Sequence, residues 1–199
     1  MPKRKIAITI GSMFLIIMLI LVGFFGYRFT ALSAAKSNTF VSNSSVLIEE
    51  WDTGSSSLFL FKDDKEETYR IALSEKLGFL YRSRASTYVP YSDDDIKTMG
   101  GMSYRTGNEE FTLLVIESNV NEVAYIEAGR ELEREKQKIN QGERISFLFP
   151  YNKQIDHLNA LALNEDGEEL YYYGYPENKN HIDLNEDLRW HKIEQSNSK

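Results

Sequence analysis

With no cysteine in 199 residues, and 30 acidic against 23 basic side chains for a net charge of −7, the chain forms no disulfide, offers no thiol and repels polyanions. These counts exclude a disulfide-braced scaffold, a thiolate catalyst and a generic nucleic-acid binder. The length leaves room for one domain of ordinary size with its own hydrophobic core.

Lys3, Arg4 and Lys5 precede an uncharged, apolar or small-residue run over residues 6–27, which Arg28 ends. As a helix rising about 1.5 Å per residue, such a run is ~33 Å long, against a hydrocarbon core of ~30 Å. It predicts a single-pass anchor in the membrane lipid bilayer. Residues 1–5 would form a cytoplasmic tail, by the positive-inside bias, and all that follows would lie outside. A cleaved signal peptide is the rival reading. Its apolar part normally runs ~7–15 residues and ends beside small residues, here Ser33, Ala34 and Ala35. The run is longer than that, and Arg28 separates it from the candidate cleavage site. A lipid-modified cysteine anchor is excluded by composition.

All 30 acidic residues lie beyond position 35, where only 19 of the basic ones are found, so the outer part is acidic. It is expected to bind no nucleic acid and to tolerate cations and basic partners. An exported part without disulfides, behind a short basic lead, points to a bacterial cell envelope. In layout the chain is similar to small single-span envelope proteins of Gram-positive bacteria, a likeness that transfers no site.

Residues 28–57, rich in Ser, Asn and Thr, read as a stalk in which 46–48 and Trp51 dock as a first strand. Residues 58–199 read as a β-rich extracytoplasmic domain, β-sandwich-like, built of antiparallel hairpins with one or two short helices. The apolar runs 58–61 and 68–73 flank a charged turn and predict a hairpin. A short strand is expected at 78–81. Runs 111–116 and 122–126 around Ser118 to Asn121 predict another hairpin. Ile145, Phe147 and Phe149 alternate on one face of a strand over 144–149. Runs 158–163 and 168–175 flank Asp166-Gly167, the best turn signal in the chain. Two helices are expected: 92–99, with Ser92 as N-cap, three acids in its first turn and Gly100-Gly101 as its stop, and 131–139, rich in helix formers.

Each candidate site has a plain structural explanation beside it. Asp93, Asp94 and Asp95 lack the spacing of a calcium loop and are explained by the helix dipole. Residues 164–169 are explained by the hairpin. His181, Asp183 and His191 lack a zinc-site spacing, and no metal or cofactor is expected. No serine sits in a nucleophile turn, and no glycine loop fits a phosphate. Tyr171, Tyr173 and Tyr175 fall on one face of a strand, with Tyr172 on the other. Such a row stacks on a sugar or a partner if exposed, and rims a core if not. The function expected is a non-enzymatic, membrane-anchored binding or interaction module outside the cell membrane, partnered by another envelope or membrane protein. The alternative is a cell-wall carbohydrate-binding or hydrolytic protein that uses the tyrosine face and carboxylates.

Overall fold

In the computed structural model the described residues are 2–107, 109–176 and 188–194, with side chains from residue 6 onward except residue 21. The chain is mostly antiparallel β-sheet, with few helices and one apolar helix at its N-terminus. That helix, α1 (Pro2–Phe24), contains the stretch Ile6–Phe24, which is long and apolar enough to cross a membrane and among whose described residues none is buried.

The chain divides into two compact units, residues 1–64 with 72–86, and residues 65–71 with 87–199. The first holds α1, a six-residue helix α2 (Ala31–Lys36) and most of a four-stranded sheet. The strands are β1 (Val46–Asp52), β2 (Ser56–Asp63), β3 (Thr68–Leu77) and β4 (Leu80–Pro90), paired in that order. The segment read from sequence as a stalk thus carries α2 and β1. Thr30 caps α2, its hydroxyl accepting a bond from the Ser33 N–H at 3.2 Å, which satisfies one of the free donors of the first turn. Ala34 and Ala35, both fully buried, face inward, and Ala35 packs with Val41, Phe59, Phe61 and Ala72 in one small cluster.

The second unit holds two further sheets. One pairs β5 (Ile96–Arg105), β6 (Glu110–Ser118) and β9 (Arg144–Phe149) in the order β5-β6-β9. The other runs β12-β11-β10-β7-β8, from β7 (Tyr125–Arg130), β8 (Glu133–Lys138), β10 (Leu161–Leu163), β11 (Glu169–Gly174) and β12 (Arg189–Lys192). A 3-10 turn, Ile155–Leu158, precedes β10. Both sheets supply one core cluster, with Leu114, Ile116 and Phe147 from the first and Ile126, Tyr173 and Trp190 from the second.

Three expectations are corrected. Residues 92–99 form no helix: β5 starts at Ile96 and pairs with β6 from Ile96↔Ser118 to Arg105↔Glu110, with a bulge between Thr98 and Gly100. The three acids lie in the connection before it, where the carbonyls of Asp94 and Asp95 accept bonds from the Asn119 side chain and N–H. Nor is there a helix over 131–139. Residues 131–132 form a turn, Leu132 is 97% exposed, and β8 pairs with β7 from Arg130↔Glu133 to Tyr125↔Lys138. Helix propensity is a weak prior that sheet pairing overrides, and the charged run serves as a sheet edge, where it opposes further strand addition. Finally, the runs flanking Ser118 to Asn121 form no hairpin. β6 pairs with β5 and β9, while the chain passes on to β7 in the other sheet.

Candidate functional site

In the first unit, three residues separate the end of α1 from Arg28, the first charge after the apolar run. The backbone of Arg28 exchanges both of its hydrogen bonds with Tyr81 of β4, at 2.8 Å each way. Its guanidinium donates to the carbonyl of Val22 at 3.0 Å and to that of Tyr27 at 2.8 Å. Val22 lies in the last turn of α1, where carbonyls lack helical partners and the helix dipole is negative, so a cation is favoured there. One residue therefore closes the helix end with its side chain and joins the sheet edge with its backbone. Opposite it, Arg82 lies 5.4 Å from the ring of Tyr27. Buried Asn38 donates to the Ser83 hydroxyl at 2.9 Å, and its own side-chain oxygen accepts the Phe40 N–H at 3.1 Å. These bonds tie the loop after α2 to the same strand. Among the described residues, the hollow this leaves has a volume of about 340 Å³, with Phe24, Phe25 and Phe40 beside Arg82 and Arg84. Sequence reasoning read Arg28 as the end of the span and missed its partner, because the pairing with Tyr81 is long-range and carries no local pattern.

In the second unit, the tyrosine row keeps its alternation but faces inward. Tyr171 and Tyr173 are 3% and 6% exposed and belong to the core cluster, while Tyr175 lies past the end of β11 and is half-buried. Tyr173 packs on Trp190, with ring centres 5.6 Å apart, so the first two rings of the row rim a core, the second of the two expectations for it. Burial pushes the Tyr173 hydroxyl up to about 12, against the opposing effect of its hydrogen bond with Thr98. The Tyr171 hydroxyl lies 2.8 Å from carboxylate oxygens of both Asp95 and Glu122. Burial first, and then the two carboxylates, hold it well above the usual phenol range. It has one proton for two acceptors, so it donates to one carboxylate at a time. A phenol held protonated is a donor rather than a base, and here it pins β11 to the connections before β5 and β7. Lys192 completes the cluster at 3.0 Å from Glu122, and the bonds from Lys192 and Tyr171 draw that carboxyl below its usual value.

No family model, curated protein or solved structure matches the chain. The chemistry therefore has to be judged on its own residues. Among the described residues no group of three or more His, Cys, Asp and Glu side chains could hold a metal ion. His157 lies 3.8 Å from Asp156. His191 stacks on Tyr172 at 5.2 Å, and one ring nitrogen lies 3.1 Å from the Gly174 carbonyl. His181 and Asp183 fall outside the described residues. The turn at 164–168 closes on itself: Asn164 accepts the Glu168 N–H at 2.8 Å through its side chain, and Gly167 takes φ +86° as the hairpin requires.

A groove of about 750 Å³ crosses the outer face of this sheet, past Leu161, Glu169, Tyr172, His191 and Lys192. Tyr172 and His191, stacked on each other, form part of its lining. The best-built candidate is the junction at Arg28, where backbone and side-chain bonds converge on one residue.

Proposed function

We propose that this protein is a single-pass, membrane-anchored, non-enzymatic interaction module of a bacterial cell envelope, with its N-terminus in the cytoplasm and its β-sheets outside. The observation that carries the reading is the junction. An apolar helix of membrane-spanning length runs, within a few residues, into a backbone pairing between Arg28 and Tyr81 that fixes it to the folded part. Lys3, Arg4 and Lys5 ahead of the helix favour the stated orientation.

The burial of Ala34 and Ala35 supports an uncleaved anchor. Cleavage after Ala35 would remove the whole of α2 except Lys36 and strip the first unit's cluster of its cover. A peptidase also needs that segment extended and accessible, whereas here it is helical and packed.

The partner expected is another envelope or membrane protein. Crosslinking the full chain in its native membrane and identifying what is captured tests this. A single stoichiometric membrane or surface protein is the expected result. Capture of cell-wall fragments alone would overturn it in favour of a wall-directed role. The anchor has its own test: in membranes the chain keeps its full mass of 23.0 kDa, and loss of about 35 residues would show a cleaved signal instead.

A further inference from the structure

We propose that the face of the first unit around the end of α1 docks on the anionic phospholipid headgroups of the bilayer that α1 crosses, an inference that rests on the anchor reading above. Three observations meet there.

The first is reach. α1 ends at Phe24, so Arg28 lies no more than about 14 Å of extended chain from the end of the span, and the start of β4 is paired to it, about 5 Å further. The headgroup layer on each side of a bilayer is ~5–8 Å thick, and this part of the sheet edge cannot move far from it.

The second is charge. In a chain with 30 acidic residues, neither 1–48 nor 76–92 contains one. These two stretches meet at the junction, and beyond the span they contribute Arg28, Lys36, Lys76, Arg82 and Arg84. The remainder of the outer part, where every acid lies, is repelled by an anionic surface, so the attraction is confined to one face.

The third is exposed aromatic surface. Phe24, Phe25 and Phe40 are 87%, 49% and 63% exposed and border the same hollow as Arg82 and Arg84. Large apolar rings beside guanidinium groups are mismatched to water. They suit the boundary between acyl chains and headgroups, where the ring sinks and the charge stays with phosphate. The Arg82 guanidinium is already held against Tyr27, which lowers the ordering cost of placing it at that surface.

The test uses the full chain, whose lack of cysteine lets Phe40→Cys carry a single environment-sensitive fluorophore. The protein is reconstituted in phosphatidylcholine vesicles with or without phosphatidylglycerol, each with a spin-labelled lipid as quencher. A Leu15→Cys label, within α1, reports insertion. The expected result is strong quenching at position 40 in the anionic vesicles, several-fold weaker in phosphatidylcholine alone, and lost in Arg82→Glu with Arg84→Glu while the label at 15 stays quenched. Arg82→Gln with Arg84→Gln, checked for an unchanged near-ultraviolet circular dichroism spectrum, guards against misfolding and is expected to fall between the two. If position 40 is unquenched while position 15 is quenched, the docking is wrong and the anchor stands. If position 15 is unquenched, the anchor reading fails and the docking with it. Equal quenching in both vesicles, untouched by the substitutions, overturns headgroup recognition, because tethering alone then accounts for the proximity.

Discussion

The two units solve the problem of closing a core in different ways. The second draws on two sheets and fills the core with large side chains: Phe147 stacks on Phe149 at 5.8 Å, Phe149 on Tyr151 at 5.2 Å, and Trp190 donates to the Thr98 hydroxyl at 3.2 Å. The first gathers Phe59 and Phe61 under a helix of six residues whose contribution is chiefly Ala35, with Ala31 and Leu32 at its margin. A core closed by sheets cannot settle into a void without moving paired strands, whereas a short helix on a loop can shift. The contrast teaches that the unit carrying α1 and its junction with β4 is the more adjustable one. It is also the one proposed above to dock on a lipid surface.

The largest effect that would sharpen this contrast is cavity formation. Phe147→Ala is expected to cost near the top of the ~3–5 kcal/mol range for a buried Phe, and Phe61→Ala near the bottom, because α2 can settle onto the space left. Both residues are fully buried, so burial alone predicts equal costs. Denaturant unfolding of the two variants, with hydrogen exchange to locate the change, decides the matter. Equal losses would break the comparison.

The second core should also announce itself at high pH. The folded-state pKa of Tyr173, about 12, lies above the ~10 of an unfolded tyrosine. Its contribution is therefore complete below pH ~10 and lost as pH rises through about 12, where the unfolded chain holds the fewer protons. It amounts to ~3 kcal/mol at most. Phenolate absorbance should show this hydroxyl titrating with unfolding, and Tyr173→Phe should move the alkaline transition upward. A Tyr173 that titrates near pH ~10 in folded protein would mean that the second core is open to water.

How much of this was legible in the sequence follows from where each signal resides. The strands β2, β6 and β9 were readable because an apolar run or strict alternation is local, and Asp166-Gly167 marked its hairpin because a tight turn needs φ above zero. β8 was not, since its six polar residues carry helix propensity and form a strand by pairing with β7, which Gly129 lets approach closely. That glycine, at φ +134°, brings the backbone of Glu133 closer than a Cβ would allow. β5 was hidden by acids that imitate a helix start. The tyrosine row was legible as a period and not as a face, because alternation says which residues share a side and not which side is inner. The Arg28–Tyr81 pairing has no sequence signature at all.

A smaller effect bears on the helix that covers the first core. Ala35→Leu adds three heavy atoms at a fully buried position beside Phe59 and Phe61. In a rigid core such overpacking costs ~1–3 kcal/mol. Under an adjustable helix the cost is expected near ~1 kcal/mol, with the change in hydrogen exchange confined to residues 31–41. A loss at the upper end, spread over β1 and β2, would show that α2 is as fixed as a strand.

The smallest expected effect concerns the cluster at Tyr171, and it separates what is buried from what merely touches. Lys192 and Glu122 form their 3.0 Å pair with 63% and 46% of their side chains exposed, so Lys192→Ala should cost under ~1 kcal/mol at neutral pH and less in high salt. Its pH dependence has a definite sign. The folded state lowers the Glu122 pKa, so the pair's contribution is present above the unfolded carboxyl pKa of ~4.3 and disappears as pH falls through the folded value. Parent and variant stabilities should therefore converge on acidification. Tyr171→Phe should differ, because the hydroxyl joins β11 to both Asp95 and Glu122, and its ring stays in the core whatever the protonation of Glu122. If Lys192→Ala instead matched Tyr171→Phe in size and kept its full effect in acid, the exposed ion pair, and not the buried phenol, would be what holds this end of the second unit together.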